Sequence, residues 1–179
     1  MTQAVPLCVD LDGSLIHSDL LLESFLLLIK QNPLYVFLAP LWLLRGKAHL
    51  KAEIARRVTL NGAALPYTGP FLDWLRAQKD AGRPLWLCTA SDARLAQVVA
   101  DHLGIFDGVL ASNGQTNLSG RNKAAELVAR FGTKQFDYCG NHRVDLPIWA
   151  QARSAIVVNA SESVRQAAAK VAEVSHVVP

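Results

Sequence analysis

Residues 5–15 read VPLCVDLDGSL: a short apolar run, two aspartates two positions apart (Asp10 and Asp12), then Gly13. The run VPLCVD (5–10) has the composition of a strand buried on both faces and is too short for a helix. Two carboxylates at the end of such a strand repel one another and resist desolvation, so the pattern asks for a cation or a proton between them. A polar turn closing the strand would draw on the same residue types. The remainder of the chain separates these two possibilities.

Four further apolar runs follow: PLWLCT (84–89), GVLAS (108–112), FDYCG (136–140) and SAIVVNA (154–160). Helices are predicted between and after them at 91–103, 122–131, 146–151 and 161–172. Strands alternating with helices predict an α/β fold, a doubly wound parallel sheet, with ligands bound in the crevice outside the carboxyl ends of the strands. Polar groups cluster at those ends. Thr89 in LCTAS closes the second run, where a hydroxyl and the amides from Ala90 onward can hold a phosphate oxygen. Lys123 in GRNK opens a helix, and GNHRVD sets Asn141 and Asp145 after the fourth run. Taken singly, Thr89 and Asp145 read as helix caps and Lys123 as a solvated lysine. Their joint order is harder to explain in that way.

The interval between the first two runs is too long for one crossover helix. It predicts an all-helical cap at 18–67, with helices at 19–29, 34–44 and 47–58, inserted into a core made of 1–17 and 68–179. Leu60, Asn61, Gly62 and Pro66 mark the return, and a helix at 70–80 leads back. Residues 20–44 are strongly apolar, but Glu23, Lys30, Gln31, Asn32, Pro33 and Pro40 interrupt them, so no membrane span is expected. Arg45, Lys47, His49, Lys51, Arg56 and Arg57 follow, relieved only by Glu53. Either the leucines pack inside the cap beneath a solvated basic face, or the apolar and cationic groups together meet an anionic membrane surface or a lipid phosphate.

The chain has 179 residues, 51% hydrophobic and 18% charged, which provides for one globular core with a modest insertion. A net charge of +3, without long basic runs, excludes a general nucleic-acid binder. Cys8, Cys88 and Cys139 lie in or beside apolar runs and read as buried thiols of a reducing compartment. MTQAVPLCVDLDG lacks the features of a signal or transit peptide, so the expected location is cytoplasmic, with the cap offering a route to the inner face of the membrane. The ending HVVP, without a polar tail, fits a fragment of a longer chain. Nothing in the sequence sets an oligomeric state.

The order DxDGS, Thr after an apolar strand, Lys, then GNxxxD resembles the motif series of the haloacid dehalogenase-like phosphohydrolase superfamily. Within it, DLDGSLIHSDLLLESFLLL, LCTASDARL and GNHRVDLPIW are similar to the domain found N-terminal to UbiA-type membrane prenyltransferases. The resemblance implies a Mg²⁺-dependent phosphatase acting on a small or lipid-linked phosphate monoester. It implies that Asp10 attacks phosphorus to form an aspartyl-phosphate and that Asp12 serves as acid, then base. Gly13 would make the turn, and Thr89, Ala90 and Lys123 would bind the phosphoryl oxygens. Mg²⁺ would be held by Asp10, Asp12 through its backbone carbonyl and Asn141, with Asp145 behind them. Asn141 stands where the family usually has Asp, which removes one negative charge from the metal site. The alternative it implies is a weakly active or inactive module that binds or regulates a membrane prenyltransferase.

Overall fold

The computed structural model describes residues 4–178; residues 1–3 and 179 of the expected core lie outside the described residues. Six parallel strands form one sheet in the order β3-β2-β1-β4-β5-β6. They are β1 (Leu7–Val9), β2 (Leu85–Asp92), β3 (Gly108–Ser112), β4 (Asp137–Gly140), β5 (Ser154–Val158) and β6 (Glu173–Val178). Leu7, Cys8 and Val9 are wholly buried between β2 and β4.

Side chains alternate across each strand, so every strand feeds two cores. Leu7, Val9 and Leu87 join Phe71 and Leu75 of α4 (Gly69–Asp80) and Ala96 and Val99 of α5 (Ala93–Leu103) on one face. Cys8, Cys88 and Tyr138 join Leu127 of α6 (Arg121–Phe131), Trp149 of α7 (Leu146–Trp149) and Ala168 of α8 (Glu162–Ala169) on the other. The sheet is thus doubly wound, with the α/β architecture expected. Strand order reverses between β1 and β4, which opens a crevice at their carboxyl ends.

Several boundaries differ from those read in the sequence. β6 was not expected: along Glu173–Val178 exposed residues alternate with covered ones, the mark of an edge strand and not of a doubly buried run. The last helix accordingly ends at Ala169 and not at 172. β2 runs on to Asp92, and α5 starts at Ala93, because the Asp92 side chain accepts a hydrogen bond from the Arg94 amide at 3.0 Å and caps it. All three cysteines are free and buried, as expected.

Between β1 and α4 the chain forms α1 (Leu20–Gln31), α2 (Tyr35–Leu44) and α3 (Lys47–Ala55). Asp19 caps α1 by accepting from the Leu21 and Leu22 amides, and Leu20, Ser24 and Leu28 form its buried stripe. α3 buries Ala48, Ala52, Ile54 and Ala55. α2 buries nothing: Tyr35, Ala39 and Trp42 are half-covered on one side, while Phe37 is 73% and Leu44 84% exposed. The account in which the leucines of this segment pack inside the cap fails for α2, since a helix apolar all round has only one side to give to its neighbours.

Candidate active site

Asp10 stands one residue beyond β1, and its amide donates to the Cys139 carbonyl of β4 at 3.0 Å, which holds the carboxylate at the strand-order reversal. The chain then turns sharply through Gly13, whose φ of 76° lies in the left-handed region. A Cβ there would sit 2.1 Å from Asn141 Nδ2, so glycine is what lets the Asn141 amide lie over the turn. Asn159 secures the same loop, donating to the Gly13 carbonyl at 3.2 Å and to Thr68 Oγ1 at 3.1 Å.

Lys123, in the first turn of α6, is 3% exposed and far from the solvated state. Its Nζ donates to Asp10 Oδ1 at 2.6 Å and to the Tyr138 hydroxyl at 2.9 Å. Tyr138 in turn donates to Asp145 Oδ1 at 3.2 Å. Burial opposes the Lys123 ammonium, but the charges of Asp10 and Asp145 outweigh it and hold the group above its usual range. Asp145 Oδ2 accepts from the Asn141 and His142 amides at 3.1 and 3.0 Å. Gly140 makes room for it, since a Cβ there would lie 2.7 Å from that oxygen. With its lone pairs so engaged, Asp145 shapes the 140–145 loop; burial and then the charge of Asp10 push its carboxyl up.

Asp12 Oδ1 accepts from the Leu20 amide at 2.7 Å, and Oδ2 from Ser91 Oγ at 2.9 Å and Thr89 Oγ1 at 3.3 Å. Burial and the neighbouring charge of Asp10 push its carboxyl up to about 6 against the pull of the Leu20 and Ser91 donors. Thr89 is fully buried with its hydroxyl turned to Asp12, while Ala90 and Ser91 form the wall of the pocket. That pocket, about 400 Å³, brings Asp10, Asp12, Gly13, Lys123, Asn141 and Asp145 together at one place.

Three contributors were missed in the sequence. Lys51 of α3 reaches the pocket and donates to the Ala90 carbonyl at 2.6 Å and to Asn117 Oδ1 at 3.1 Å; within its basic run nothing distinguished it from a solvated lysine. Burial pushes its ammonium down. Ser91 was legible as the second hydroxyl of LCTAS. Tyr138 gave no signal, because a tyrosine inside a strand run reads as core.

Four carboxyl groups, Asp10, Asp12, Asp19 and Asp145, line the pocket with two ammonium groups, Lys51 and Lys123, which leaves negative charge for a cation. No three His, Cys, Asp or Glu side chains among the described residues form a metal cluster on their own. Residues of the pocket that could hold a hard divalent ion offer oxygen donors: the Asp10 carboxylate, the Asp12 carbonyl and the Asn141 amide oxygen. The Ser18 hydroxyl is buried behind the pocket lining and has no partner among the described residues.

Fold and site together define a Rossmann-like α/β protein with an acidic pocket organised by a buried lysine. Residues 8–149 match the family described as haloacid dehalogenase-like hydrolase, and the chain belongs to that family. The uncharacterized protein y4nM of Sinorhizobium fredii is 38% identical over 155 residues, an alignment taking in 86% of this chain and 30% of that protein. The chain therefore spans less than a third of this relative's length. A Bordetella pertussis Tohama I protein of unknown function has the same fold with a TM-score of 0.73, at 16% identity over 99% of each chain. Phosphoserine phosphatase in its apo form has a TM-score of 0.65 at 10% identity, over 98% of this chain and 94% of that one.

Proposed function

We propose that the chain is a Mg²⁺-dependent phosphohydrolase that cleaves a phosphate monoester through an aspartyl-phosphate on Asp10. The single observation carrying this is the Lys123 Nζ to Asp10 Oδ1 contact of 2.6 Å inside a pocket open to solvent. Lys123 fixes the Asp10 carboxylate in the pocket, where one of its oxygens would attack phosphorus. As the Asp10 oxygen–phosphorus bond forms, the ester P–O bond breaks, and Asp12 gives its proton to the departing oxygen. Asp12 then takes a proton from the water that displaces phosphate from Asp10, which restores both groups. Lys123 and the amide of Ala90 would hold the equatorial oxygens, with Thr89, whose hydroxyl accepts from the Ser91 amide at 3.0 Å, keeping Asp12 in place. Mg²⁺ held by Asp10, the Asp12 carbonyl and Asn141 would supply charge neutralisation for the phosphoryl group. Among the chains sharing this fold, phosphoserine phosphatase has been captured as a phospho-aspartyl intermediate analogue.

Residues 18–67 then act as a cap over a core of 1–17 and 68–179, a division supported by Lys51, which carries an ammonium from α3 into the pocket wall. The test is Mg²⁺-dependent release of phosphate from phenyl phosphate, with mass spectrometry of the quenched protein detecting one added PO₃ on the peptide carrying Asp10. Asn141→Asp restores a charge to the donor set and should lower the Mg²⁺ concentration needed for half-maximal activation on the order of tenfold. A titration of activity against Mg²⁺ checks it.

Asn141 and the greater length of y4nM favour a second reading, a weakly active module that binds or regulates a UbiA-type prenyltransferase, fused or associated. Absence of phosphate release and of phosphoprotein at saturating Mg²⁺ would select it.

A further inference from the structure

Among the described residues, nine of the twelve exposed large hydrophobic side chains lie between residues 22 and 44, so the apolar surface is concentrated on one piece of the chain. They are Leu22 and Leu26 on α1 and Leu34, Val36, Phe37, Leu38, Leu41, Leu43 and Leu44 on or beside α2. Patches of this kind mark interaction sites. α2 spends its covered side, Tyr35, Ala39 and Trp42, on the rest of the insertion, with Arg57 lying 4.8 Å from the centre of the Trp42 ring. Its other sides are largely exposed among the described residues.

Charge decides what covers them. Lys30 at the end of α1 and Arg45 and Lys47 beyond α2 are exposed and have no carboxylate partner among the described residues. Glu53 is already paired with Arg56 and Arg57 at 2.5 and 2.7 Å, which leaves Asp19 and Glu23 at the start of α1 as the acids of this piece against three cations. Two copies of a face rimmed in this way would repel, whereas the headgroups of an anionic bilayer complement it. No helix among the described residues is long and apolar enough to cross a membrane. Ten residues of α helix extend about 15 Å, half the hydrocarbon thickness, so α2 would lie in the interface and not span it.

We infer that the α1–α2 face docks on the surface of an anionic lipid bilayer, with Phe37, Leu41 and Leu44 entering the headgroup boundary and Lys30, Arg45 and Lys47 meeting lipid phosphates. Asp19 lines both the catalytic pocket and an apolar groove floored by Leu21, Phe25, Leu50 and Ile54, so the docked face adjoins the pocket mouth.

The test is flotation of the whole chain with phosphatidylcholine vesicles with and without about one-third phosphatidylglycerol. Binding is expected to the anionic vesicles, to weaken with added salt, and to fall by about tenfold or more in Phe37→Glu/Leu41→Glu and in Arg45→Glu/Lys47→Glu. These side chains lie outside the pocket, and thermal midpoints by circular dichroism equal to that of the native chain establish that the variants fold. Absence of the native chain from the lipid fraction would overturn the inference, as would variants that float equally well. A dimer seen without lipid and dissolved by Phe37→Glu/Leu41→Glu would also overturn it, in favour of a second copy on this face.

Discussion

Asp10→Asn should lower phenyl phosphate turnover by at least about 10⁴-fold, the scale of losing a nucleophile, and leave no phosphoprotein. Its cost in stability should be small, because Asp12 and Asp145 are both pushed up by the charge of Asp10 and are relieved when it goes. Lys123→Met removes comparable activity but has the opposite bearing on the fold. It strips the buried ammonium from between carboxylates and should cost about 3–5 kcal/mol, the range for breaking a buried ion pair. The double variant should recover much of that loss, since one fewer carboxylate then goes uncompensated. Urea midpoints of the four proteins at neutral pH measure the cycle. A double variant whose cost equals the sum of the two single changes would mean that Lys123 and Asp10 do not share one electrostatic unit.

The largest stability effect away from the pocket is expected at the opposite end of the sheet. Asp137 opens β4 at 2% exposure and takes Arg153 Nη2 at 2.6 Å, Arg153 Nε at 3.0 Å and the Ser154 amide at 3.0 Å. It also pairs with Arg83, whose Nε donates to the Val5 carbonyl at 3.0 Å. This one carboxylate ties the segment before β1 to β4 and β5. Asp137→Ala should cost about 3–5 kcal/mol, because Arg83 is left charged and mostly covered. The melting temperature should drop by about 10 °C, with kcat/KM unchanged in the folded fraction. Burial pushes the Asp137 carboxyl up, but the hydrogen bonds from Arg153 and Ser154 and the charge of Arg83 outweigh it and hold the group below its usual range. A carboxyl depressed in the folded state stabilises fully above its unfolded value of about 3.9, and that contribution fades as pH falls through the folded value. Asp137→Asn should therefore flatten the acid side of the stability curve below about pH 4, which thermal melts across pH would show.

Strands that are buried on both faces announce themselves as short Val/Leu runs, so the runs beginning at Val5, Pro84, Gly108, Phe136 and Ser154 were legible, and with them the parallel sheet. β6 was not, since an edge strand alternates exposed with covered residues and shows no continuous apolar run. Asp10, Asp12, Asn141 and Asp145 could be picked out because polar groups closing apolar runs stand out in one dimension, and Lys123 by its place at a helix start in the same series. Lys51 and Tyr138 could not: one sits among exposed cations and the other among core residues, and only the path of the chain brings them to the same pocket.

Local composition was sufficient for the sequence by itself to determine the alternation of strands and helices, the insertion after β1 and the chemical types gathered at the strand ends. Which oxygen of Asp10 meets Lys123, why the Thr89 and Ser91 hydroxyls both turn to Asp12, and why α2 keeps its leucines in solvent were decided only in the tertiary structure. Each of these depends on distances between segments far apart along the chain, where a side chain's partner is set by packing and by which charges burial leaves unpaired.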